Sequence, residues 1–132
     1  MTTNGTLRNP LALVIEDDIE QLAIFTQALQ LAEFETEAIR DGQQALDRLA
    51  ETKPSMVILD LHLPYISGKE ILRRIRASDH LQTTKIILAT ADAATAEMIR
   101  QDVDLVLIKP ISFIQLRDLA TRLRPYDATT LE

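Results

Sequence analysis

The chain contains no cysteine. Disulfides, a thiolate nucleophile and a zinc–thiolate centre are therefore excluded. No apolar run approaches the length of a membrane span. The opening residues, Met1-Thr2-Thr3-Asn4-Gly5, are polar and lack the apolar heart of a signal peptide. A cytoplasmic protein with no membrane partner is expected. Positive charge is in the minority, with 14 Lys and Arg against 20 Asp and Glu, a formal net charge of −6. No basic stripe offers itself to phosphates, so direct nucleic-acid binding is not expected. Internal repeats, low-complexity tracts and interdomain linkers are missing as well.

What is present suffices for one domain with a substantial core, 132 residues of which 46% are hydrophobic. Residues 1–9 read as a flexible tail, 10–125 as the domain and 126–132 as a second tail, with no output domain after it. The most informative stretch is Met56-Val57-Ile58-Leu59-Asp60. Four apolar residues bounded by turn residues fit a strand buried on both faces. Its last side chain is an acid at the carboxyl end of a strand, where open α/β sheets place their ligand sites.

The same pattern recurs along the chain. Leu11 to Ile15 is an apolar run that ends in Glu16, Asp17 and Asp18. Asp18 suits the N-cap of a helix with Leu22, Phe25 and Leu29 on one face. Glu35 to Ile39 is a more polar strand, suited to a sheet edge, and Asp41-Gly42 reads as a turn. Ala45, Leu46, Leu49 and Ala50 have helical spacing. After the central strand, Gly68 opens a helix with Ile71, Leu72 and Ile75 inward. Lys85 to Thr90 is a fourth strand, and Ala93 to about Gln101 a weakly amphipathic helix. Leu105 to Ile108 is the fifth strand, ending in Lys109-Pro110. Ser112 caps a last helix bearing Leu116, Leu119, Ala120 and Leu123 on one face. Strict alternation of β and α predicts a five-stranded parallel sheet with right-handed crossovers and helices on both faces.

Parallel strands end at one edge. Glu16, Asp17, Asp60, Thr90 and Lys109 are thereby delivered to one rim from four segments. Carboxylates a few ångströms apart repel by about 4 kcal/mol per pair at an effective dielectric near 20. A hard divalent cation offsets that, and magnesium suits a site of few carboxylates with waters retained. Together with the ammonium and the hydroxyl, the cation would stabilise a phosphoryl group in transfer. Asp60 would be the nucleophile and would become an acyl phosphate.

In these motifs the sequence resembles the receiver domain of two-component response regulators. The resemblance rests on Val14-Ile15-Glu16-Asp17-Asp18, Ile58-Leu59-Asp60-Leu61-His62-Leu63-Pro64 with Gly68, Ala89-Thr90-Ala91 and Ile108-Lys109-Pro110. It implies the flavodoxin-like strand order 2-1-3-4-5. It further implies Asp60 as phosphoacceptor and Mg2+ as cofactor. Asp17 would bind the ion directly, Glu16 mainly through water, and the backbone carbonyl of His62 would be a further ligand. Thr90 and Lys109 would contact the phosphoryl group, with a cis Lys109-Pro110 bond. The implied partners are a sensor histidine kinase or phosphotransfer protein and a downstream protein on the α4-β5-α5 face. A homodimer is left open. The expected activity is switching rather than enzymatic turnover of a substrate.

One position departs from the family. Where receivers usually carry an aromatic on the fifth strand, this chain has Val106, so the usual relay to the α4-β5-α5 face is in question. His62 and Asp92 occupy the two positions that flank the phosphoryl group. The side chain of His62 is expected to face solvent, His80 to have no chemical role, and Tyr65 to cover apolar surface in its turn. An aspartyl-nucleophile phosphohydrolase is the first competing class. It usually needs a second acid two residues after the nucleophile, where this chain has His62. A flavin phosphate would be repelled by the acids after the first strand. A module that works without phosphorylation would leave the site residues without a task.

Overall fold

The computed structural model describes residues 9–125, so the two expected tails lie outside the described residues apart from Asn9. Five strands alternate with five helices: β1 (Leu11–Ile15), α1 (Ile19–Leu31), β2 (Glu35–Ile39), α2 (Gly42–Glu51), β3 (Met56–Leu59), α3 (Gly68–Arg76), β4 (Lys85–Thr90), α4 (Ala93–Met98), β5 (Leu105–Ile108) and α5 (Phe113–Leu123). The strands form one parallel sheet in the order β2-β1-β3-β4-β5. Among the described residues no helix is long and apolar enough to cross a membrane.

The continuous apolar runs follow from burial on both faces. Side chains alternate along a strand, and here both sets meet a core. Ala12, Val14, Met56, Ile58, Ile87 and Ala89 pack under α1 and α5, against Phe25, Leu29, Leu116 and Ala120. Leu13, Ile15, Val57, Leu59, Ile86 and Leu88 pack under α2 and α3, against Ala45, Leu49, Ile71 and Ile75. Each fully buried Leu, Ile or Val of this kind contributes about 1.5–3 kcal/mol. Strand β2 is more polar because it is an edge.

Local signals set most helix starts. Asp18 accepts from the amides of Glu20 and Gln21, and Ser112 from that of Gln115. Asp41-Gly42 is the start of α2 rather than a free turn, with Asp41 accepting from the amide of Gln44. Helix α1 ends in a Schellman pattern: Phe34 N donates to Leu29 O at 3.0 Å and Glu33 N to Gln30 O at 3.0 Å. The residue that turns the chain there is Glu33, at φ 68°.

Two expectations need correction. Helix α4 stops at Met98, and Arg100–Asp102 form a 3-10 turn instead of continuing it. Only Ala96 of α4 is buried, too little apolar contact to carry the α-helix further. Tyr65 covers no apolar surface; it is fully exposed at φ 68°, where the turn aims its ring into solvent.

At the end of the sheet where β1 starts, Arg124 donates to the carbonyl of Glu33 at 3.1 Å and to the Asn9 side chain at 3.4 Å. His80 has a structural part: a ring nitrogen bonds the Leu49 carbonyl at 2.8 Å, tying the loop after α3 to α2.

Candidate functional site

The carboxyl ends of β1, β3, β4 and β5 build the site. Registers Ile15↔Leu59 and Thr90↔Ile108 bring the strand exits level. Backbone bonds lock the first residues beyond them: Glu16 N to Ile39 O at 2.9 Å, Asp60 N to Ile15 O at 3.1 Å, and Lys109 N to Thr90 O at 2.8 Å. Glycine at position 68 is required by the turn after Asp60. Its amide donates to Leu61 O at 2.8 Å, and a Cβ there would collide with the Asp60 carbonyl oxygen.

Glu16, Asp60 and Thr90 are buried polar residues, an arrangement tolerated only where each finds a partner. Lys109 supplies the charge. Its Nζ donates to Glu16 Oε1 at 2.7 Å and to Asp60 Oδ2 at 3.2 Å. The Lys109-Pro110 peptide is cis. One oxygen each from Glu16, Asp17 and Asp60 lie within 4.8 Å of one another. Glu16 and Asp60 thus share a single ammonium, with the Asp17 carboxylate beside them.

The titration behaviour reflects this crowding. Burial pushes the Glu16 carboxyl above its ordinary value, against the hydrogen bonds from Lys109 and the Asp18 amide; the Asp60 charge adds to the rise. Burial pulls the Lys109 ammonium down, but the hydrogen bond to Glu16 and the charges of Asp60 and Glu16 outweigh it and leave it raised. The ammonium holds its proton more tightly because it touches two acids at once.

The hydroxyl of Thr90 accepts from Asp92 N at 3.1 Å, which leaves its own proton free for another acceptor. His62 N donates to Asp60 Oδ1 at 3.3 Å, so the loop bearing the His62 carbonyl is fastened to Asp60. Asp18 stays outside the cluster as the cap of α1. Val106 is partly buried on the α2/α3 face and presents no ring.

Two features of the rim escaped the sequence. Arg40, just past β2, donates from Nη2 and Nε to the Asp17 carbonyl at 3.1 and 3.3 Å and steadies the acid loop from the side. His62 faces solvent as expected, yet its Nε2 meets Asp92 Oδ2 at 3.0 Å. No spacing rule links residues 40 and 17 or 62 and 92; both pairs arise from loops meeting across strand ends.

Comparison with known proteins follows the same line. Residues 12–121 match the response regulator receiver domain. The probable methanogenesis regulatory protein FilR2 of Methanothrix harundinacea is 30% identical over 125 residues, 86% of this chain and 81% of that protein. The polar-differentiation response regulator DivK of Brucella anthropi is 31% identical over 103 residues, 76% of this chain and 84% of DivK. The fold is shared with the receiver domain of sensor histidine kinase PA1611 from Pseudomonas aeruginosa, at 23% identity and a TM-score of 0.77 over 87% of this chain and 97% of that one. That structure holds a magnesium ion in its active-site cleft.

Proposed function

Because the chain belongs to the response regulator receiver domains, we propose that it is a switch loaded at Asp60 by phosphohistidine on a sensor kinase or phosphotransfer protein. The observation that carries this reading is the Lys109 ammonium held between Glu16 and Asp60 beside a third acid, Asp17. In the transfer an Asp60 carboxylate oxygen attacks phosphorus. The O–P bond forms, the N–P bond breaks, and the departing imidazole takes a proton from solvent.

The donors fit a divalent cation. They are hard oxygens, they are crowded, and one ammonium does not balance three carboxylates. Asp17, Asp60, the His62 carbonyl and, mainly through water, Glu16 would hold magnesium, which supplies positive charge for the phosphoryl oxygens when bound. Lys109 already donates to Asp60 and has only to transfer that donation to a phosphoryl oxygen. Thr90, with its proton uncommitted, donates to another. Water later cleaves the acyl phosphate and restores Asp60. Beyond this self-directed chemistry the chain acts as a signalling module.

The output partner is a protein docking on α4, β5 and α5, where Met98, Ile108 and Ile114 are exposed. A second copy of the chain would use the same kind of surface. Intact mass spectrometry after incubation with acetyl phosphate and Mg2+ tests the loading step. The chain should gain the mass of one phosphoryl group and the Asp60→Asn variant none. Equal gain by both, or gain by neither, overturns the assignment.

A further inference from the structure

Of the five helices, α4 buries the fewest side chains. It is six residues long with one buried side chain, Ala96, and Met98 is exposed. A helix this short does not hold itself in water. Its start is set by its cap, Asp92, whose Oδ1 accepts from Thr95 N at 3.0 Å. The other oxygen of the same carboxylate accepts from His62 Nε2 at 3.0 Å. The Asp92 amide donates to Thr90 Oγ1, and the His62 amide donates to Asp60 Oδ1. Asp60, by way of His62, and Thr90, through a backbone amide, therefore both connect to Asp92, whose side chain caps α4.

We propose that the His62–Asp92 bridge carries a change at Asp60 to helix α4 in this chain. The inference rests on the function proposed above. Loading either Asp60 oxygen changes what the His62 amide or Lys109 can donate to. Drawing the Thr90 hydroxyl toward a phosphoryl oxygen moves the acceptor that the Asp92 amide donates to. Both disturbances converge on Asp92, one at its amide and one at its carboxylate. Val106, without a ring, offers no second lever from β5. His62 and Asp92 are here positioning residues: they act through α4 rather than on the phosphoryl group. The side chains are 70% and 27% exposed, so the bridge is weak and able to open and close, as a switch requires.

Two variants separate the bridge from the cap. Asp92→Ser keeps a capping oxygen for the Thr95 amide but is too short to reach His62. His62→Ala leaves the cap intact. Without ligand, amide exchange at residues 96–99 should quicken about two- to fivefold in either variant, the range for an exposed pair. With Mg2+ and beryllofluoride as the phosphoryl mimic, wild-type amide signals should shift at the rim and throughout 93–98. In Asp92→Ser the rim shifts should persist while those in 93–98 largely disappear. Unchanged exchange, or α4 shifts of wild-type size in both variants, overturns the bridge and leaves the loading of Asp60 standing. Rim shifts without α4 shifts in the wild type do the same. Absence of any rim shift in the wild type overturns both the loading and the relay that depends on it.

Discussion

Lys109 and Glu16 are separated by 93 residues in sequence and by 2.7 Å in space, and the same ammonium reaches Asp60 at 3.2 Å. The lysine is the only charge compensation these two buried carboxylates have within the described hydrogen bonds. Lys109→Ala leaves both without it. Removing one partner of a buried pair costs about 3 kcal/mol. Urea unfolding should show that loss in metal-free buffer, with part of it recovered by millimolar Mg2+. A variant as stable as the wild type would mean that the acids are neutral or solvated.

The raised Glu16 carboxyl gives a pH signature. Its folded state holds the proton more tightly than the unfolded chain, whose ordinary value is 4.5. Between 4.5 and the raised folded value, folding therefore takes up a proton, and stability falls as pH rises. Glu37, Glu70 and Asp92 are shifted the other way by their partners and lose stability as pH falls. Comparing the wild type with Glu16→Gln isolates the first contribution. The variant's relative stability should climb through that window and level off above it, as followed by urea midpoints at successive pH values.

Acid crowding also predicts how metal and substitution combine. Mg2+ at a hundredfold excess over its dissociation constant should stabilise the wild type by about 2.7 kcal/mol. Asp60→Asn gives up one attraction to Lys109 and two repulsions, from Glu16 and Asp17. Without metal it should be more stable than the wild type by about 1 kcal/mol, and Mg2+ should add less to it. Differential scanning calorimetry with and without chelator measures both; identical Mg2+ responses would remove Asp60 from the metal site.

Gly68 can be probed without touching a charge. A Cβ added there would sit 2.7 Å from the Leu61 Cα and against the Asp60 backbone. Gly68→Ala must push that backbone aside, at about 2 kcal/mol. Phosphoryl uptake from acetyl phosphate should slow in step, because the displaced segment carries both the nucleophile and the His62 carbonyl. Normal uptake in a destabilised variant would show that the turn yields elsewhere.

A stabilising change is also available. Glu33 holds the left-handed position that ends α1, at φ 68°. Glycine removes the Cβ penalty of about 1 kcal/mol there. Glu33→Gly should raise the melting temperature by about 3 °C with no effect on phosphoryl uptake. The position lies away from the acid rim, so a change in uptake would count against the assignment of the site.

Much of this architecture is legible in one dimension because parallel strands buried on both faces must be continuously apolar. Met56 to Leu59 could hardly be anything else, and the polar residue that ends such a run marks the rim. Asp60, Thr90 and Lys109 could be placed for that reason. Contacts between loops carry no comparable periodic mark, and so Arg40 on the Asp17 carbonyl and His62 on Asp92 had to be seen. The end of α4 and the outward ring of Tyr65 went astray for a related reason. In both, a few backbone dihedrals outweigh what the neighbouring side chains prefer.

Arg124 holds the Glu33 carbonyl and the Asn9 side chain at the end of the sheet where β1 begins. The first and last described segments therefore lie side by side, a five-residue strand of about 16 Å away from the acids. A short peptide could splice them and new ends be opened in the loop around Thr83 without disturbing Asp60. A dye, bead or sensor surface coupled at either segment would present the reactive rim outward, unobstructed by its support.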